Sequence, residues 1–510
     1  MTAARKPPQP AKTKATGGSW PARDVASTRR MLARGEISCR ELLEEHRQAV
    51  TRLNPSLNAL PTLCLSRAEG EAKGLDKLLV AQRTGRQAAG VGPLAGLPYC
   101  AKDMFDTEGV ITTYGSPIYG RHRPPKDAEI VARIRRAGAL LIGKSNTPEF
   151  AAGSQTFNRV FGATRNPWDL SRTCGGSSGG SAVALRTGMV MLADGSDLAA
   201  SLRNPASFCS VVGMRPSSHL EPRLQSGANP FNTLSVVGPM ARSVADLREL
   251  FTAIFDPAGC RPDKSLEQWC VQRNRESQSR KALNSKHQKM RIGFSSDWGG
   301  LPVQREVRHQ MQVCAQQLAE NGAEIIEGFP KLSEMRQAFL TLRGLFFVAE
   351  LGGLYRTHRD QLKDTVVWNI EQGLKLTAAE IAHAEKLRSA ARRQLEDYMQ
   401  SHSLEALVGP TNQVLPFDLE TAYVSEIDGT RLETYVDWLA SNFIFSVAGL
   451  PAISLPAGFA RPSPQQLPLP VGLQVVGPWA GDDALMNTAE QIESMLAPLN
   501  APFSFPDPSA

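Results

Sequence analysis

Serine and lysine side chains set among small residues recur at three places in this 510-residue chain. "TCGGSSGGSA", residues 173–182, offers Ser177 and Ser178 in a frame of glycines. "ADGSDLAASLRNPASFCSVVGMRPS", residues 193–217, sets Ser201 between an apolar run and a proline, which is how a chain presents a hydroxyl at a tight turn. "GPLAGLPYCAKDMF", residues 92–105, leads through small and apolar residues to Lys102. A serine hydroxyl attacks a carbonyl only when a base takes its proton. Histidine is the usual base, but His122 and His219 are the nearest in sequence and neither sits in a recognisable motif, so a Ser-His-Asp triad has no evident member. Lysine is the other candidate. If a strand delivers Lys102 to the interior, desolvation disfavours its ammonium form and draws its pKa toward neutrality. An exposed lysine paired with Asp103 is the competing reading, and this stretch taken alone favours it.

The glycine-serine stretch has three readings. A flexible linker is the first. It should separate two self-sufficient regions, yet "FGATRNPWDL" leads in and the apolar, helix-like "SAVALRTGMVML" leads straight out. A phosphate cradle at a helix start is the second, but the P-loop lysine is missing and the spacing does not fit GxGxxG. The third is a loop that places serine hydroxyls, and it gains from Ser201 one helix further on.

The elements that must position these groups follow from hydrophobic period. "DVASTRRMLARGEISCRELLEEHRQAVTRLNPSLNAL" predicts two helices joined by a glycine turn, with Ser38 capping the second. "DAEIVARIRRAGALLIGKSN", residues 127–146, predicts a helix with Ile130, Val131 and Ile134 on one face, then the strand "ALLIG". A similar unit recurs in "KMRIGFSS", a helix from Val307 to Asn321, and "AEIIEGF". One α/β sheet fed from both halves of the chain is the expectation. Residues 331–405 read as helical, and the aromatics of "AFLTLRGLFFVAELGGLY" are expected to pack a core, with a substrate-binding wall as the alternative. Strand-like runs return in "GLPAISLPAGF" and "LPVGLQVVG" before a closing helix from Asp483 to Leu496.

Composition narrows the function classes. A 42% hydrophobic content suffices for a sizeable core. The net charge of +7 is local: Arg5, Lys6, Lys12 and Lys14 carry no acid beside them, and seven basic residues from Arg273 to Arg291 meet only Glu276, which leaves −3 for the rest. Nucleic-acid binding is not expected without a continuous basic groove. The eight cysteines form no CxxC pair and no histidine stands at ligand spacing, which argues against a zinc site and a disulfide framework. No transmembrane run and no secretory h-region is visible, so a cytoplasmic location is the expectation. Residues 1–20 are expected to form a disordered basic tail.

Taken in order, "GPLAGLPYCAKD", "AGALLIGKSNTPEF", "FGATRNPW", "GGSSGGSA", "GSDLAASLRNP", "FCSVVGMRPS", "GLPAISLPAGF" and "LPVGLQVVG" resemble the amidase signature enzymes over about residues 25–495. The resemblance implies an α/β fold, a large mixed β-sheet covered on both faces by helices. It also implies one domain over 21–500, with a signature core near 90–250 and a variable, substrate-selecting helical region near 300–445. It implies a Ser-cisSer-Lys set on Lys102, Ser177 and Ser201, with a cis bond between Gly176 and Ser177. The serines lie 24 residues apart, as the family spacing requires. Backbone N–H groups of Leu198, Ala199, Ala200 and Ser201 would form the oxyanion hole. Ser178 would support the loop, and Asp197 and Arg203 would pair beside the nucleophile. The implied activity is hydrolysis of a small-molecule amide, with esters or carbamates as further substrates, and neither metal nor cofactor. A homodimer stays open.

The family usually has Gly-Gly before the nucleophile, where this chain has Ala199-Ala200. If either needs a positive φ, the methyl adds strain of about 1 kcal/mol, and each narrows the space over the carbonyl. One alternative is a non-catalytic binding protein with a blocked oxyanion turn; another is the A component of a tRNA-dependent amidotransferase, against which the Pro-Lys tail and this divergent turn count. Trp438, Asn442 and Phe443 in "DWLASNFIF" are substrate-pocket candidates, with core packing as the competing reading. Cys174 and Cys209 are expected to be buried packing residues, since no partner base is evident.

Overall fold

The structure, a computed structural model, describes residues 23–500 apart from 221–231, 257, 285–288, 333 and 464. The expected basic tail lies outside the described residues. Eleven strands make one sheet: β1 (Thr62–Leu63), β2 (Pro98–Lys102), β3 (Leu140–Ser145), β4 (Leu192–Asp197), β5 (Val212–Arg215), β6 (Val236–Ala241), β7 (Arg291–Phe294), β8 (Glu324–Glu327), β9 (Ala406–Pro410), β10 (Ala452–Ala460) and β11 (Leu469–Val476). Their order across the sheet is β1-β3-β2-β4-β6-β5-β10-β11-β9-β7-β8.

The sheet is mixed. β3, β2 and β4 run parallel, as do β9, β7 and β8, while the centre from β4 through β6, β5, β10, β11 and β9 is antiparallel. A helix precedes the second strand of two parallel pairs, Glu129–Arg136 before β3 and Arg305–Glu320 before β8, because parallel strands need a crossover. Every residue of β2, β3, β4, β6 and β11 is buried. Side chains alternate between the two faces of a strand, so unbroken burial requires cover on both faces.

Local signals place the peripheral helices. Val25–Arg34 and Cys39–Leu57 turn at Gly35, and Ser38 caps the second in a reciprocal box with Glu41. A capping box satisfies two orphan amides, which is why the helix starts there. Met335–His358, Asp364–Leu374 and Ala378–Ser401 fill the region that reads as helical. The run Met335–Gln361 is long and apolar enough to cross a membrane by length and composition. Here it packs on its two neighbouring helices and carries the buried Arg343.

This architecture brings chemistry to one edge. Lys102 closes β2 and Asp197 closes the parallel β4, so both lie at carboxyl ends, where open α/β sheets place ligands. The helix Gly179–Arg186 starts immediately after Ser178.

Candidate active site

Lys102 is fully buried, which overturns the exposed reading, and Asp103 bonds the backbone and hydroxyl of Thr113 instead. The lysine Nζ lies 2.7 Å from Ser177 Oγ and 3.0 Å from the hydroxyls of Ser178 and Ser196. Burial lowers the amine to a pKa of about 7, against the opposing pull of Asp194 and Asp197. Strand pairing fixes the lysine backbone, and Asp194 accepts its N–H at 2.6 Å. Asp194 also accepts the Tyr99 hydroxyl, and burial raises its own carboxyl to about 6.

The glycine-serine stretch is not a linker: all of residues 173–182 are buried. The Gly176–Ser177 peptide bond is cis, as the resemblance implies. Gly175 has φ +75°, and a Cβ on Gly180 would collide with the Asn146 backbone nitrogen, so both positions require glycine. Nor is it a phosphate cradle. Ser178 N–H donates to the Ser201 carbonyl at 3.2 Å, Gly179 N–H to Thr156 Oγ1 at 3.1 Å and Gly180 N–H to the Asn146 carbonyl at 3.2 Å. These amides are spent on neighbours, and the first of them ties the two serine loops together.

Asp197 and Arg203 hold the turn that carries Ser201. Arg203 Nε and Nη2 each donate to an Asp197 oxygen at 3.0 Å, and both side chains are fully buried. Burial raises the Asp197 carboxyl, but Arg203 and Arg215 outweigh it and leave the group below its usual range. Arg203 Nη2 also donates to the Ala199 carbonyl at 2.7 Å, and Ser446 Oγ donates to the same oxygen at 2.9 Å. Arg203 Nη1 reaches Gln474 Oε1 at 2.7 Å on β11. The carbonyl of residue 199 is thereby turned inward. Neither Ala199 nor Ala200 has a positive φ, so the methyls add no left-handed strain. Both pack with Phe208 and Trp438.

Ser177, Ser196, Leu198, Ala199 and Ser201 line one cavity of about 60 Å³, and Ser201 is 8% exposed. Its remaining walls include Met104, Phe150, Phe346, Phe347, Tyr435 and Leu439. Phe150 and Ala151 hold consecutive left-handed conformations, φ 49° and 55°, which cost about 1–3 kcal/mol each and cluster at functional sites. Ala199 and Ser201 both border this cavity. A larger depression of about 770 Å³ between the helices Val25–Arg34, Val244–Phe255 and Leu266–Asn284 is lined by mixed charges, among them Arg29, Arg248, Arg273, Glu249 and Glu276.

Trp438, Asn442 and Phe443 do not reach this cavity. Trp438 stacks on Phe208 with centroids 6.4 Å apart, and Phe443 stacks on Phe339 at 4.3 Å. Asn442 donates to the Thr411 carbonyl at 2.5 Å. The aromatic helix divides its work: Phe339 packs the core, whereas Phe346 and Phe347 line the cavity, so core packing alone does not describe it. Ser196 is one group that sequence reasoning missed. Its signal is period two along β4, which puts it on the face of Asp194. Cys174 and Cys209 are buried, and burial raises the Cys174 thiol to about 12. Among the described residues no cluster of three or more metal-ligating side chains occurs.

Comparison with known proteins identifies the family. The family model described as Amidase matches residues 41–486. The chain belongs to the amidase family. This amidase is 31% identical over 498 residues to the A component of the glutamyl-tRNA(Gln) amidotransferase of Halorhodospira halophila (strain DSM 244 / SL1), covering 92% of this chain and 96% of that protein. A solved amidase superposes with a TM-score of 0.78 at 29% identity, covering 93% of this chain and all of the other. A bacterial aryl acylamidase of the amidase signature family shares the fold, with a TM-score of 0.80 at 23% identity over 96% and 98% of the two chains. The amidase is an amidohydrolase on an α/β scaffold.

Proposed function

We propose that this amidase hydrolyses a carboxamide through an acyl-enzyme on Ser201. Lys102, neutral above pH 7, takes the Ser177 proton while Ser177 takes the Ser201 proton, and Ser201 Oγ attacks the amide carbonyl. Backbone N–H groups of Leu198 to Ser201 hold the oxyanion, at about 3 kcal/mol per donor in other enzymes. As the C–N bond breaks, the relay returns its proton to the departing amine or ammonia. Water then cleaves the ester through the same base, and a carboxylate leaves. Esters and carbamates present the same carbonyl and fall within this reading.

The observation that carries the proposal is the buried Lys102 amine 2.7 Å from Ser177, in a site whose cavity also exposes Ser201. A panel of aryl, aliphatic and peptide amides and esters, run against a Ser201→Ala control, tests it. Full activity in the control sinks the assignment.

A second reading, the A component of an amidotransferase, is favoured by the relative at 31% identity over 92% of the chain. It predicts that hydrolysis requires B and C partner proteins. Turnover by the isolated protein would decide against it.

A further inference from the structure

We propose that Arg343 recognises a carboxylate carried by the substrate, so that this amidase acts on short amides bearing an anionic group. The inference rests on reading the Ser201 cavity as the amidase site. Six arginines are buried among the described residues: Arg29, Arg133, Arg203, Arg215, Arg248 and Arg343. The first five each have a carboxylate within ion-pair distance. Arg343 has none among the described residues. Its Nε donates to Asn369 Oδ1 at 2.8 Å and its Nη2 to the Tyr435 hydroxyl at 2.9 Å, both neutral acceptors.

Arg343 is 5% exposed and lines the same cavity as Ser177 and Ser201. Its Nη1 makes no hydrogen bond among the described residues, yet it is not sealed away from solvent. The rings of Phe347, Phe339 and Tyr435 stand 4.8, 5.8 and 5.8 Å from its Cζ and hold it in place. Among the described residues no acid lines the cavity, and Arg343 is its one charged residue. A buried charge needs a counter-charge and filled hydrogen bonds. Here the protein supplies the positioning acceptors and leaves the counter-charge to the ligand. A guanidinium with free N–H groups matches a carboxylate in shape as well as charge.

The enclosed space beside Ser201 is small, about 60 Å³, so the test starts from a short skeleton. Apolar walls at Phe346, Phe347 and Leu439 suit a few methylene groups between the amide and the carboxylate.

The test uses a matched pair, the monoamide of a four-carbon dicarboxylic acid and its diamide. Calorimetric titration of the Ser201→Ala protein reads binding without turnover. The monoamide is expected to bind at least about tenfold more tightly than the diamide, as a charge-assisted contact requires. Arg343→Met removes that preference, and Arg343→Lys restores part of it. Equal binding of the two amides, or a preference that survives Arg343→Met, overturns the proposal. The comparison within the protein that keeps Arg343 decides the question even if Arg343→Met fails to fold. Turnover by the wild type reports separately on the amidase reading. Hydrolysis without any preference between the pair leaves that reading standing and overturns the role of Arg343, whereas preferential binding without hydrolysis does the reverse.

Discussion

Lys102 Nζ stands 2.7 Å from Ser177 Oγ with no carboxylate in ion-pair contact among the described residues, and burial holds its pKa near 7. In the proposed relay the neutral amine is the base, so protonation should remove activity. kcat/KM for an uncharged amide should fall as the pH drops through about 7 and level off above it. Lys102→Ala should lower it by about 10²–10⁴-fold, the usual scale of a lost general base. A flat profile between about pH 5 and 9 would remove Lys102 from the mechanism.

Ser201→Ala should abolish hydrolysis, and labelling by a fluorophosphonate should map to Ser201 by mass spectrometry. The expected loss is on the order of 10⁴-fold or more, since removing the proposed nucleophile would remove the covalent route. A label on Ser177 in the unaltered protein would exchange the roles of the two serines.

Ser196→Ala removes one of three hydroxyls around the lysine amine. A hydrogen bond of this kind is worth about 1 kcal/mol, so kcat/KM should fall roughly fivefold, far less than for Lys102→Ala. The two variants should be compared on one substrate at about pH 8, where the amine is neutral.

Ala199 borders the cavity and Ala200 is fully buried in the core, both without positive φ. Ala199→Gly should keep or raise activity and favour bulkier acyl groups. Ala200→Gly should keep activity but lose about 1–2 kcal/mol of stability, from the deleted methyl and the freer chain. Thermal melts beside kcat/KM for acyl groups of increasing size separate the two effects.

Asp197→Asn should destabilise the protein by about 3–5 kcal/mol, because it leaves Arg203 and Arg215 buried without a counter-charge. In the wild type this carboxyl is held below its usual range. Its contribution is therefore present above the unfolded value of about 3.9 and is lost as pH falls through the lower folded value. Denaturant titrations at about pH 7 and about pH 3 should show the gap between wild type and variant narrowing at the lower pH.

The class of fold and the local setting of Lys102, Ser177 and Ser201 are legible in the chain, while their proposed roles come from the family resemblance. Lys102 ends a strand, Ser177 precedes a helix and Ser201 follows a strand, and each relation is encoded within a dozen or so neighbouring residues by small side chains and hydrophobic period. The walls of the site and its supports come from tertiary packing. Arg203 meets Gln474 across 271 residues, and no local pattern records that meeting. In the segment at 438–443, Leu439 faces the cavity while Trp438, one residue earlier, stacks on Phe208. Successive residues of a helical turn point about 100° apart, so nearness in sequence to a motif does not say which side is turned to the substrate. The same holds for the helix Met335–His358, whose apolar period predicts burial but not that Arg343, Phe346 and Phe347 border a cavity rather than a core. Hydrophobic patterning records removal from water, and a packed neighbour and a small cavity both satisfy it.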